Sequence, residues 1–178
     1  FGFWDKDTKN YDQSILNQFS KVVRKTKIKK GMNVLDAGCG VGGGAIYIAK
    51  NTGARVVGIT ITPEQIREAK ANAVRSGVQN LVNFMLMDFT KTTFPGNHFN
   101  VVFGIESVCH AYPKKRFLKE MYRILKPGGL LYVSDGYQLR KPNDLLDRSI
   151  VSTLCRVWRL KELIHFSNMS ELIKRAGF

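Results

Sequence analysis

Apolar positions along this chain recur at two spacings, and the switches between them outline its elements. Over residues 10–27, Ile15, Leu16, Phe19, Val22 and Val23 fall at helical spacing with lysines opposite, which predicts an amphipathic helix. Short apolar runs at 33–37, 54–60, 81–87, 99–105 and 130–134 read as strands. Helical patterns separate them: one to about residue 51, one to about 76, and one over 114–125. Gly53 and Gly77 stop the first two, glycine being a favoured helix C-cap. Thr62 suits an N-cap and Pro63 the first helical position. With Gln65 three residues on, 62–65 also reads as a capping box. Strands alternating with helices predict a doubly wound α/β domain, its parallel sheet covered on both faces. After Asp135 the pattern changes. Residues 136–142 form a basic loop. Residues 144–163 read as a helix apolar enough to bury two faces, through Leu145, Leu146, Ile150, Val151, Leu154 and Trp158. A last helix over 168–177 turns Met169, Leu172, Ile173 and Ala176 inward.

The 178 residues suffice for a single domain, 1–178. No apolar run approaches the ~18–20 residues of a membrane span, and the polar, aromatic opening Phe1-Gly-Phe-Trp4 carries no signal peptide. The expected location is therefore cytoplasmic. Cys39, Cys109 and Cys155 are scattered without metal-ligand spacing and read as reduced thiols, with no metal site. The formal net charge of +14 points to an anionic partner or simply to solubility. It concentrates at Lys21–Lys30, at Lys114–Lys119 and in a third cluster of Arg140, Lys141, Arg148, Arg156, Arg159 and Lys161. None is interleaved with aromatics as a stacking platform for single-stranded nucleic acid would be. Peripheral contact with an anionic membrane is the alternative carried forward.

The richest stretch is Asp36-Ala-Gly-Cys-Gly-Val-Gly-Gly43, which joins the first strand to the first inner helix. Its glycines permit a tight turn and let a ligand lie against the main chain. No Gly-Lys-Ser/Thr follows, which excludes a Walker-type phosphate loop. The stretch resembles the first motif of the class I S-adenosylmethionine-dependent methyltransferases with a Rossmann-like fold. Lys126-Pro-Gly-Gly129, a turn before the fifth strand, is similar to another motif of that family. The resemblance runs over about 31–135, the expected cofactor-binding core. It implies that the loop, with Gly38 and Gly40, wraps the methionine part of S-adenosyl-L-methionine. Asp36 would meet its ammonium group, with main-chain bonds from Ala37 and Gly38. Members usually end the second strand in an acid that grips the ribose. Thr60 stands there instead, with Gln65 a turn into the helix, as in the tocopherol methyltransferases and the cyclopropane-fatty-acid-synthase group. Asp88 would accept from the adenine amino group, with Phe89 flanking the ring and Ile105 also against the cofactor.

Ile105-Glu-Ser-Val-Cys-His110 follows the fourth strand, where the methyl acceptor should lie. It lacks the Asn/Asp-Pro-Pro-Tyr/Phe signature of base and amide methylation, which counts against nucleic acid as a substrate. The Glu-Ser-x-x-His arrangement resembles sterol and tocopherol carbon methyltransferases. Glu106 and His110 are the expected catalytic pair, either able to take a proton or steady positive charge. In small-molecule members an aromatic N-terminal segment covers the site, so residues 1–30 become a lid with Trp4 and Tyr11 as substrate-side candidates. Residues 136–178 become a helical substrate-side region. The resembled fold continues into further strands, so residues are expected to be missing from both ends. The expectation is methyl transfer to a small or lipid-like acceptor, of prenyl-quinol, sterol or isoprenoid type. The alternatives are methylene transfer to unsaturated acyl chains, nucleic-acid methylation, or a cofactor-binding scaffold without catalysis.

Overall fold

A computed structural model describes residues 2–140 and 142–178. Phe1 and Lys141, counted above in the aromatic opening and the third basic cluster, lie outside the described residues. The elements are α1 (Tyr11–Thr26), β1 (Asn33–Ala37), α2 (Gly43–Thr52), β2 (Arg55–Thr60), α3 (Pro63–Arg75), β3 (Val82–Leu86) and β4 (Phe99–Ile105). A 3-10 turn (Val108–His110), α4 (Lys114–Ile124), β5 (Leu125–Ser134), α5 (Leu145–Val157) and α6 (Phe166–Arg175) complete the order.

The five strands form one parallel sheet in the order β3-β2-β1-β4-β5. After β3 the chain crosses back to place β4 beside β1, so the winding reverses between these two strands. In open α/β sheets a ligand crevice opens at that reversal, beyond the carboxyl ends of the strands. Asp36 lies one residue before the end of β1, and Glu106 follows β4.

The strands read as continuous aliphatic runs because both faces are covered. Successive side chains point to opposite faces: Val34, Val56 and Val101 pack towards α2 and α3 with Ile48, Ala69 and Phe84. Leu35, Ile59 and Val102 pack the other way, with Phe117, Leu118 and Met121 of α4 and Met169 of α6.

Two expectations need correction. β5 begins at Leu125, not Leu130: Leu125 pairs with Phe99 and Leu130 with Val101. Lys126-Pro-Gly-Gly129 is thus an excursion within the strand, and a Cβ at Gly129 would stand 2.8 Å from the Lys126 carbonyl. The helix expected to run to residue 163 stops at Val157, where Arg159 takes a left-handed φ of 53°. It also buries no residue: Leu145 is 82% exposed and Leu146 70%.

Candidate active site

The glycine loop is held from both sides. The amides of Gly38 and Cys39 both donate to the Ile59 carbonyl at 2.9 Å. Gly38 has φ +95°, and a Cβ there would lie 2.4 Å from Ser107 Cβ. Packing therefore requires that glycine. A Cβ at Gly40 would meet nothing within 4 Å, because Gly40 faces open space. That space is a cleft of about 1010 Å³, bordered by the loop and by the carboxyl ends of the strands.

Asp36, Gly38, Gly40, Thr60, Gln65, Asp88, Phe89, Ile105, Glu106 and His110 all line this one cleft. Asp36 is 4% exposed. Burial pushes its carboxyl up to about 7, opposed by the Ala45 amide in the first turn of α2. At the end of β2, Thr60 Oγ1 donates to Gln65 Oε1 at 2.7 Å and accepts from the Thr62 amide at 3.3 Å. The expected capping box is not made, since Thr62 forms no side-chain cap bond. Gln65 turns to Thr60 instead, which leaves its amide N–H groups for a ligand. Asp88 is exposed and accepts from the Thr90 amide at 2.7 Å. Phe89 is fixed edge-on against Phe117, ring centroids 5.3 Å apart.

Glu106 follows β4 with φ 51°, a left-handed conformation that is uncommon outside glycine. Its amide donates to the Ser134 carbonyl at 2.9 Å, which ties the turn to β5. Burial raises its carboxyl above the usual range. Ser107 is buried and donates to the Ala37 carbonyl at 2.6 Å. The 3-10 turn then brings His110 to the rim, exposed.

Three expected residues are placed differently. Ala37 does not line the cleft, and its carbonyl is occupied by Ser107. Trp4 and Tyr11 are 55% and 60% exposed and stand outside it. The opening segment lies along α1: the Phe3 amide donates to the Ser14 carbonyl at 2.8 Å, and Lys21 Nζ sits 3.7 Å from the Phe3 ring centroid. The cover over the cleft is α1 itself, through Ile15, Gln18 and Phe19. Gln18 is buried and its Nε2 reaches Ser134 Oγ at 3.3 Å. Its four-residue spacing from Ser14 and Val22 was the sequence signal for that inward position.

Two further groups escaped the sequence reading. Asp135, just beyond β5, has both carboxylate oxygens buried without a well-formed hydrogen bond. Burial pushes it up to about 7, the nearby Glu106 adds to this, and the Cys109 thiol and amide pull the other way. Lys114 beside it is buried, its Nζ donating to the carbonyls of Cys109 at 2.9 Å and Ala111 at 2.7 Å. At the mouth, Arg159 and Lys161 line the cleft opposite in charge to its acids.

Residues 35–133 match the family model described as a methyltransferase domain. The chain is 41% identical over 121 residues to a sterol 24-C-methyltransferase of Gibberella zeae, a match covering 68% of this chain and 32% of that protein. It is 40% identical over 175 residues to a sterol 24-C-methyltransferase of Neurospora crassa, covering 95% of this chain and 45% of the relative. The chain thus spans less than half the length of these curated relatives. Among solved structures, the [4+2]-cyclase SpnF superposes with TM-score 0.84 at 26% identity, over 99% of this chain and 62% of that one. A sarcosine dimethylglycine methyltransferase from Galdieria sulphuraria, at TM-score 0.87 and 18% identity, shares the fold.

Proposed function

This chain belongs to the methyltransferase-domain family, and from that premise we propose that it takes part in S-adenosylmethionine-dependent methylation of a lipid-like acceptor at carbon. The observation that carries the reading is the convergence of Asp36, the Thr60–Gln65 pair, Asp88, Glu106 and His110 on one cleft. The cleft fits such a cofactor. Its volume reaches the upper end of the ~300–1,000 Å³ usual for small-molecule sites. Gly40 leaves the main chain open to it, and a buried acid waits at Asp36 for a cation. When bound, the cofactor supplies an electrophilic methyl group.

Each protein group then has a role. With its carboxyl raised to about 7, Asp36 is only partly ionised while empty, and a ligand's ammonium would hold it ionised. Thr60 and Gln65 recognise a diol with neutral hydrogen-bonding groups. Asp88 takes an exocyclic amine, and Phe89, braced by Phe117, offers a ring face. The walls hold the two reactants in contact, and such orientation can supply much of a barrier reduction. A carbon acceptor acquires positive charge and must shed a proton. Glu106, at the end of β4, steadies that charge, and Glu106 or His110 accepts the proton. The sterol methyltransferase relatives favour a sterol or isoprenoid acceptor over an acyl chain or a nucleic acid.

No helix among the described residues is long and apolar enough to cross a membrane. Such an acceptor would reach the cleft from a lipid surface, with the exposed apolar and basic residues of α5 resting on an anionic membrane from the cytoplasmic side. Retention on anionic vesicles at low salt tests that part.

The activity is tested by incubating the whole protein with methyl-labelled S-adenosylmethionine and, in parallel, a total lipid extract, a polar metabolite extract and total nucleic acid. Label in the lipid fraction is the expected result. Label in nucleic acid alone would overturn the acceptor assignment, and no cofactor binding at all would overturn the whole reading.

A further inference from the structure

Arg159 and Lys161 sit at the rim of the cleft on a turn that nothing in the proposed methyl transfer requires. The turn is built firmly. Arg159 holds a left-handed φ of 53° with its amide on the Arg156 carbonyl at 3.2 Å. Between the two cations, Leu160 is 8% exposed, and its amide donates to the Cys155 carbonyl at 2.8 Å. A buried leucine flanked by two exposed cations anchors the backbone and sends both charged side chains to the mouth. Neither cation has an acidic partner among the described residues, whereas Arg67, Arg123, Arg140 and Arg175 each pair with a carboxylate. Glu162, the next residue along, turns into a separate small cavity with Lys114 and Asp135.

The cleft that this pair lines also presents apolar side chains, Ile15, Phe19, Ile61 and Tyr112 among them. A cleft with apolar side chains and two cations without an acidic partner in its lining is complementary to an anionic amphiphile. Arginine and lysine bind phosphate and carboxylate through charge-assisted hydrogen bonds. The low dielectric of a partly closed cleft strengthens such contacts relative to open solvent.

We propose that Arg159 and Lys161 form an anion subsite, and that the acceptor is an isoprenoid-like chain bearing a phosphate or similar anionic head. This rests on the methyltransferase reading and names its substrate class. The head docks at the rim between the two cations. The carbon to be methylated lies deeper, towards Glu106.

The test compares an isoprenoid alcohol with its monophosphate, same chain length, in neutral detergent. Binding to the whole protein is measured by calorimetry with and without S-adenosylhomocysteine, and turnover with S-adenosylmethionine. The monophosphate is expected to bind more tightly than the alcohol. R159Q and K161Q should each weaken it by about 3- to 10-fold, leave the alcohol unchanged, and leave S-adenosylhomocysteine affinity unchanged. The preference should shrink as salt screens the pair. Both positions are exposed, so the variants are expected to melt with the unaltered protein, and the charge-keeping R159K should restore part of the loss.

Equal affinity for alcohol and monophosphate would overturn the subsite. So would R159Q or K161Q weakening S-adenosylhomocysteine instead of the monophosphate, because the pair would then grip the cofactor carboxylate. A loss seen only when the alcohol is presented in anionic vesicles would assign the pair to a membrane surface and equally overturn it. If S-adenosylhomocysteine failed to bind the unaltered protein, the methyltransferase reading would fall. The cofactor-free comparison of alcohol and monophosphate would still decide the anion subsite.

Discussion

The two sides of the cleft are built by different means. On the cofactor side, Asp36, Gly38 and Thr60 sit at the ends of β1 and β2, each strand paired on both edges. The backbone bond to Ile59 and close packing against Ser107 leave Gly38 little freedom, Asp36 is buried, and Thr60 is held by its bond to Gln65. On the acceptor side, His110, Arg159 and Lys161 are exposed, and the neighbouring α5 buries nothing. One side is over-determined by the sheet; the other is carried by turns and a helix with its apolar residues in solvent. Under the proposed function, recognition of a constant ligand belongs on the first, and choice among acceptors on the second.

The sharpest way to break this comparison is Glu106→Gln, which keeps size and removes charge. Turnover should fall by roughly 10²–10⁴-fold, as loss of a general base or its equivalent does, with cofactor affinity unchanged by calorimetry. An equal fall in both would mean that the two sides are one. Next, stability should divide in the same way. Phe117→Ala removes a fully buried ring that braces Phe89 and should cost about 3–5 kcal/mol in denaturant unfolding.

Protonation gives a third handle. With the Asp36 carboxyl raised to about 7, affinity for the cationic cofactor should climb with pH and level off above about 7. Below that the slope should approach ~10-fold per pH unit, and Asp36→Asn should flatten it. The sign for stability is opposite. Between 3.8, the usual carboxyl value, and about 7, the folded chain holds more protons than the unfolded one. The empty protein therefore loses stability as pH rises through that window. A fourth, smaller effect is Thr60→Val, which breaks the bond to Gln65 and should weaken the cofactor by about 0.5–1.5 kcal/mol, with acceptor KM unmoved. Smallest of all, Leu146→Ser on α5 should change stability by no more than about 0.5 kcal/mol. A larger loss would show that α5 packs against something in the working protein.

The misplacements follow the same divide. Residues 33–37 and 99–105 were assigned as strands with the bounds observed, because a strand buried on both faces writes an unbroken aliphatic run. Residues 144–163 misled because apolar content says only that a face could be buried. Arg159 ends the helix through its left-handed backbone, which no spacing announces. Gln65 has the chemistry of a capping residue and also of a ligand contact. Only the nearby Thr60 hydroxyl decides which bond it makes. Trp4 and Tyr11 were assigned to a lid because aromatics suit one, but Phe3 is pinned along α1, which leaves both in solvent.

By itself, then, the order of residues determined the alternation of strand and helix, the need for glycine where a turn must tighten, and the chemistry on offer at each strand end. These are local properties, set by steric limits on the backbone and by the period of the apolar face. Only the tertiary structure decided that β4 returns beside β1, so that Asp36 and Glu106, seventy residues apart, open on the same cleft. It alone decided that Gln18 reaches β5, that Asp135 is left buried without a well-formed hydrogen bond, and that Arg159 and Lys161 line the same cleft as Asp36 and Glu106. Those outcomes depend on contacts between distant segments, which local patterning constrains but does not specify.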